Sequence, residues 1–144
     1  MADLEALHAK VAELRENQIG KKSRQLYQAS NCKFILWCLQ NNVDRITPQF
    51  IEGLEEAVTV LGMSVEEYIK SVIGPPANLD RPPFHFRDFA AEDFLAWIVD
   101  LKKEGGEAPG ISSLCTHRSG FFNLYRDFHE IMPPKLEDEL QNHF

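Results

Sequence analysis

Long apolar runs are missing from this sequence of 144 residues. No stretch approaches the roughly 20 consecutive apolar residues that a membrane-spanning helix requires. Residues 1–18 are charged throughout and lack the apolar centre of a secretory signal. The sequence therefore predicts a protein without a membrane partner and with an intracellular location, in the nucleus or the cytoplasm.

Cysteines are few, and their number is odd. Cys32, Cys38 and Cys115 have none of the spacings that are typical of a disulfide framework or of a zinc site. They are expected to be reduced and partly buried thiols. The sequence predicts no metal site and no cofactor.

Catalytic motifs are missing as well. The histidines are scattered, and neither GxxxxGKS/T nor GxGxxG, the phosphate-binding patterns, occurs. Cys115 and His117 lie two residues apart in a predicted helix, so their side chains diverge around the helix axis and do not form a nucleophile and base pair. Paired acids such as Glu55 and Glu56 are expected to be solvated. The protein is predicted not to be an enzyme.

Acidic residues outnumber basic ones, and the net charge of −7 disfavours general affinity for nucleic acid. The charge is unevenly distributed, however. Lys21, Lys22, Arg24 and Lys33 form a basic cluster, whereas residues 48–73 are acidic. Cations at a helix N-terminus oppose the helix dipole. The basic cluster therefore indicates a negatively charged partner for one face of the protein.

Helical spacing of apolar residues recurs along most of the chain. With the capping signals, it predicts seven helices, over about 3–18, 22–41, 48–61, 64–73, 91–103, 112–128 and from 133 onward. Thr47 and Ser64 are expected to cap the third and fourth helices, and Ser112 or Ser113 the sixth. Trp97 is expected at the margin of the fifth. Because no segment alternates with period two, the predicted fold is all-α, a compact bundle of short helices.

The first helix carries Leu4, Leu7, Val11 and Leu14 at heptad spacing. Two interpretations remain open for it, an amphipathic helix packed on the domain or a helix for self-association or a protein partner through residues 3–18. The predicted organisation is an N-terminal amphipathic helix over 1–19 and a helical domain over 20–144. A proline-rich loop, 74–87, lies inside that domain, and the aromatic residues at its end are expected to pack down.

Two segments share a pattern with a known family. The first, residues 21–42, carries Ser23, Tyr27, Phe34 and Trp37 and is followed by Ile46-Thr47-Pro48. The second, residues 89–134, has a helix that ends in glycines and then a helix with Ser113, Thr116, His117, Arg118, Ser119, Phe122 and Tyr125. Both segments resemble the core-binding domain of tyrosine recombinases (the phage integrase family), especially in recombinase-like proteins of eukaryotic mobile elements.

The resemblance implies an all-α, SAM-like domain that forms half of a clamp around duplex DNA. The family's catalytic Arg, His-x-x-Arg and Tyr have no counterpart here, so the implied role is non-catalytic DNA binding. The residues that would contact phosphates are Lys21, Lys22, Arg24, Lys33, Arg118 and Arg126, and those that would contact the groove are His117, Ser119 and Asn123. The alternative is a helical protein-interaction module that keeps the fold without DNA affinity.

Overall fold

The computed structural model describes residues 3–18, 21–74, 76–105 and 111–142. These residues form seven α-helices and one short 3₁₀ helix, which confirms the all-α prediction. The α-helices are α1 (Leu4–Gln18), α2 (Lys21–Asn41), α3 (Pro48–Thr59), α4 (Val65–Ile73), α5 (Ala91–Gly105), α6 (Ile111–Asp127) and α7 (Pro134–Asn142), and the 3₁₀ helix is Val43–Arg45. Within the described ranges, no helix combines the length and the apolar character that crossing a membrane demands.

Side-chain caps fix the starts of α3 and α4, as predicted. The Phe50 N–H donates to Thr47 Oγ1 at 3.1 Å, and the Glu67 N–H donates to Ser64 Oγ at 3.1 Å. Each bond satisfies one of the backbone donors that the first turn of a helix leaves without an intrahelical partner. Local sequence is therefore sufficient to begin both helices.

Two predictions about α5 and α6 are wrong. The helix α6 begins at Ile111, so Ser112 and Ser113 lie inside its first turn and do not precede it as caps. Trp97, expected at the margin of α5, is only 2% exposed. Its ring centroid lies 4.8 Å from that of Phe34 in α2, and this contact between helices places the indole in the core.

The centre of the fold is aromatic. Phe34 of α2 is 1% exposed. Ring centroids from α5, α6 and the loop before α5 lie 4.8–5.7 Å from its own: those of Phe84, Phe89, Phe94, Trp97 and Phe121. Because the rings meet edge-on or tilted, the contacts gain electrostatic as well as dispersion energy. The helix α2 is thereby tied to three other parts of the chain.

The proline-rich segment between α4 and α5 packs onto this core. Phe84, Phe86 and Phe89 are all buried. Phe84 forms an isolated antiparallel bridge with Ile46, and the Tyr125 O–H donates to the Phe86 carbonyl at 2.6 Å. Since prolines leave fewer backbone donors to satisfy, a few such bonds are enough to hold the segment down. The expectation that the end of the loop packs down is confirmed.

The first helix projects its described side chains into solvent. Residues 3–11 are all exposed, and Leu4, Leu7 and Val11 are 66%, 46% and 45% exposed. The interpretation in which this helix packs on the domain is therefore wrong for these residues. The side chain of Leu14 lies outside the described part of the structure.

Candidate nucleic-acid interface

One side of α2 faces solvent along most of the helix. Its exposed residues recur at helical spacing and define what we call the α2 face: Lys22, Gln25, Leu26, Ala29, Lys33 and Gln40. The helix contains four basic residues and no acidic residue, in a chain whose net charge is −7. The α2 face therefore combines cationic and neutral side chains only.

Packing on both sides of α2 determines which residues remain on that face. Against α6, the Asn31 Nδ2–H donates to the Gly120 carbonyl at 3.0 Å. On the α4 side, Cys32 is buried, and the charges of Glu66 and Lys70 act on its thiol. An exposed cation, Lys70, and an exposed acid, Glu66, therefore lie beside the α2 face. Sequence reasoning missed Lys70 because only the packing of α4 against α2 brings it there.

A second group of predicted residues lies where α2 begins and α6 ends. Arg24 and Arg126 are both exposed. Asp127 as a whole residue is exposed. Partial burial of its carboxyl raises the pKa of that group, and the positive charge of Arg24 opposes this shift. The Asn123 Nδ2–H donates to the Asp127 carboxylate at 3.3 Å. Arg24 and Asn123 thus converge on an acid of the protein's own.

His117 is half-buried and contacts two other helices. Its Nδ1 lies 2.6 Å from Ser30 Oγ, and its ring centroid lies 4.9 Å from that of Trp97. Burial lowers the pKa of His117, and the nearby charge of Lys33 lowers it further. The imidazole is therefore held neutral between α2, α5 and α6, where it joins helices together.

The remaining predicted residues do not share the α2 face. Arg118 and Ser119 are half-buried, and the Nε of Arg118 is shielded from solvent. The side chain of Lys21 lies outside the described part of the structure. The structure thus brings Lys22 and Lys33 onto one face, places Arg24 on the α6 side of α2 beside Asp127, away from that face, and engages His117 between helices.

The half-buried position of His117 predicts a pH dependence of stability. Because its pKa in the folded state lies below the ordinary value of 6.5, the unfolded chain takes up the proton first as the pH falls. Stability is therefore expected to decline as the pH drops below about 6.5. In thermal unfolding at about pH 7.5 and pH 5.5, His117→Gln should show a smaller difference in Tm than the wild type.

The matched control for this prediction is His85→Gln, which removes a histidine that is exposed. That variant should keep the pH dependence of the wild type. Equal pH dependence in the wild type and in His117→Gln would show that His117 is not the group responsible.

The two buried thiols, those of Cys32 and Cys38, are poorly suited to chemistry. Burial raises the pKa of Cys38 to about 12 and also raises that of Cys32, and a protonated thiol is a weak nucleophile and metal ligand. In the described ranges, no three residues of the types His, Cys, Asp and Glu are grouped so that they could hold a metal ion.

Comparison with known proteins finds no related protein. No family model matches the chain, and neither a curated protein nor a solved structure matches it. The resemblance to the recombinase domain therefore stays a prediction based on the residues quoted for it.

Proposed function

We propose that this chain is a non-catalytic domain that binds duplex DNA through the α2 face. One observation carries the proposal: Lys22 and Lys33 are both exposed on the same side of a helix that contains no acid. They lie eleven positions apart, which corresponds to about 16 Å along the helix. A duplex carries about one phosphate charge per 1.7 Å of its axis, so one duplex offers phosphates to both lysines.

The support of α2 by its neighbours favours this role. Because α6 and α4 hold the helix from two sides, its outer face is presented without a conformational change on binding. Gln25 and Gln40 lie exposed on the same face, and a glutamine amide can donate to and accept from the edge of an adenine. Duplex binding also implies an intracellular location.

The acidic residues elsewhere in the chain affect where DNA can bind and how strongly salt weakens the binding. Since exposed acids on α3 and α4 repel phosphate, affinity should be confined to the α2 face and should be sensitive to salt. The proposed contacts on the α2 face are Lys22 and Lys33, and Arg24 and Arg126, exposed where α2 begins and α6 ends, would add positive charge outside that face. His117 is not among them, because its ring already contacts Ser30 and Trp97.

The test is the salt dependence of duplex binding by the full chain. Fluorescence anisotropy of a short labelled duplex, between about 20 and 200 mM salt, gives the slope of log affinity against log salt. Each phosphate contact contributes about 0.9 to that slope. The double variant Lys22→Ala/Lys33→Ala should therefore flatten the slope by about 1.8 while its Tm stays close to that of the wild type.

A charge-matched control is Arg87→Ala/Lys135→Ala, which removes two exposed cations from the loop and from α7. This control should leave the slope unchanged. Equal flattening in the control, or a wild type without salt-sensitive binding at the lowest salt, would overturn the proposal.

A second candidate function is favoured by the exposed apolar side of α1. Leu4, Leu7 and Val11 are each at least 45% exposed, and apolar side chains grouped in this way on a surface typically mark a site of association. In this second function the chain is a protein-interaction module. Its association with a partner should then depend on α1 and should not change when the α2 face is mutated.

A further inference from the structure

A small cleft opens where α3, α4 and the proline-rich loop meet. Its volume is about 160 Å³, and a cavity of roughly this size holds a molecule such as benzene. Ala57 and Val72, which are 4% and 2% exposed, give its lining apolar surface, and Leu61 and Met63 add to it. Among the described residues, none of α2 lines the cleft, so it is separate from the α2 face. The cleft therefore offers space for a small apolar group.

Two side chains of opposite charge belong to the same lining, those of Arg81 and Glu56. The Arg81 Nη2 lies 3.8 Å from the Glu56 Oε2, whereas a charge-assisted hydrogen bond is about 2.7–2.9 Å long. The two side chains are 38% and 60% exposed. An ion pair this long and this exposed contributes little to stability. Both groups can therefore turn to a ligand without a large loss for the fold.

The fold positions the Arg81 guanidinium against α3. A Cβ at Gly53 would overlap Arg81 Nη1 and the Tyr68 hydroxyl oxygen, so glycine leaves room for both groups. The Tyr68 O–H donates to the Phe50 carbonyl at 2.8 Å, and this bond fixes the hydroxyl. Burial raises the pKa of Tyr68, and a hydrogen bond from Arg81 opposes that shift. A buried hydroxyl therefore holds the guanidinium at the wall of the cleft.

The charges around the cleft determine which net charge its ligand can carry. On α3, α4 and the loop up to Arg81, the exposed acids outnumber the exposed cation Lys70: they are Glu52, Glu55, Glu56, Glu66, Glu67 and Asp80. This field repels a ligand with a net negative charge. A ligand that is only a cation meets Arg81 in the lining. A ligand with one charge of each sign avoids both costs.

We propose that the cleft binds a small zwitterion with an apolar body, which is the chemistry of a free apolar α-amino acid such as leucine. The ligand's carboxylate accepts from the Arg81 guanidinium, whose planar fork suits a carboxylate, and its ammonium faces the Glu56 carboxylate. Its side chain fills the apolar part of the cleft beside Ala57 and Val72. The two charges of an α-amino acid lie close together, as Arg81 and Glu56 do, whereas the two termini of a long peptide do not.

Titration of the ¹⁵N-labelled full chain, followed by heteronuclear NMR, tests the proposal. Leucine should shift the amide signals of Ala57 and Ser71, which line the cleft, with a Kd of about 1 mM or tighter, as a ligand of this size allows. Isocaproate lacks the ammonium of leucine and isoamylamine lacks the carboxylate, so each should bind about fivefold or more weakly. Absence of these shifts up to about 20 mM leucine overturns the proposal. Equal binding of isocaproate and leucine also overturns it.

Variants assign the two charges of the ligand to their partners. Arg81→Gln and Glu56→Gln each remove one charged group and should weaken leucine binding by about fivefold or more. The matched control is Arg87→Gln, because Arg87 forms an ion pair of the same length, 3.8 Å, with Glu130 and lies outside the lining of the cleft. This control should bind leucine like the wild type. Equal weakening in the control would show that the cleft is not the site.

The preference between ligands within one variant is independent of any general loss of stability. Glu56→Gln should no longer prefer leucine over isocaproate, because the ammonium then faces no carboxylate. Arg81→Gln should no longer prefer leucine over isoamylamine. A wild-type preference in either variant means that its charge is not recognised there, and the proposal is then wrong. Since the cleft and the α2 face share no residue, these variants should keep the salt slope of duplex binding, and either proposal can fail without the other.

Discussion

Replacing Phe34 with alanine is expected to lower the free energy of unfolding by about 3–5 kcal/mol. The ring is 1% exposed, and rings from α5, α6 and the proline-rich loop surround it. The nearest centroid, that of Trp97, lies 4.8 Å away, and that of Phe84 lies 5.3 Å away. Because these rings are anchored in separate elements, they cannot all move into the cavity that alanine would leave.

Urea denaturation followed by tryptophan fluorescence measures this loss, since Trp97 reports on the cavity directly. The control is Leu26→Ala, on the same helix at a position that is 50% exposed. Its expected cost is about 0.5 kcal/mol or less, as at most surface positions. Small domains have only about 5–15 kcal/mol in total, so Phe34→Ala should remove a large part of the stability. A loss similar to that of the control would mean that Phe34 is not central to the core.

The parts of the fold that local sequence determines were predictable. Thr47 and Ser64 begin α3 and α4 as expected, because each capping hydrogen bond joins residues only three apart in sequence. Apolar residues at a period of 3.6 identified all seven helices for the same reason, since periodicity is a property of one segment.

The parts that depend on contacts between distant segments were not predictable. Ser30 and His117 are 87 residues apart in sequence, and nothing local signals that the imidazole faces a serine hydroxyl. The same holds for Trp97, which the periodicity of α5 placed at a margin and the contact with Phe34 places in the core. Lys70 joins the neighbourhood of the α2 face only through the packing of α4.

The sequence was sufficient to identify the basic residues of the candidate site. It was not sufficient to predict which of them share one surface. The basic cluster of α2 was visible in the sequence, and Lys22 and Lys33 do share an exposed face. Their grouping with residues of α6 depended on how the two helices are rotated about their axes. That rotation sets His117 against Ser30 and Trp97 and leaves Arg118 half-buried, and sequence alone does not give it.

Replacing Gly120 with valine is expected to lower the free energy of unfolding by about 1–3 kcal/mol, through overpacking where α6 meets α2. A Cβ at this position would lie 3.3 Å from Tyr27 Cα and 3.4 Å from the Tyr27 carbonyl oxygen. These are backbone atoms, so they cannot rotate away as a flexible side chain would. The Asn31 Nδ2–H bond to the Gly120 carbonyl, 3.0 Å long, would be stretched as the helices separate.

A series at this position separates crowding from helix propensity. Gly120→Ala adds the two tight contacts of the Cβ with Tyr27 but gains about 1 kcal/mol of helix propensity, so its net effect should be close to zero. Gly120→Val adds two further methyl groups against α2, and Ser119→Val, at the half-buried neighbouring position, controls for the propensity of a β-branched residue. Chemical denaturation should rank Gly120→Val as clearly the least stable of the three. Equal stability of the alanine and valine variants would show that α2 and α6 have room to spare at this crossing, and the rigid support inferred for the α2 face would lose its basis.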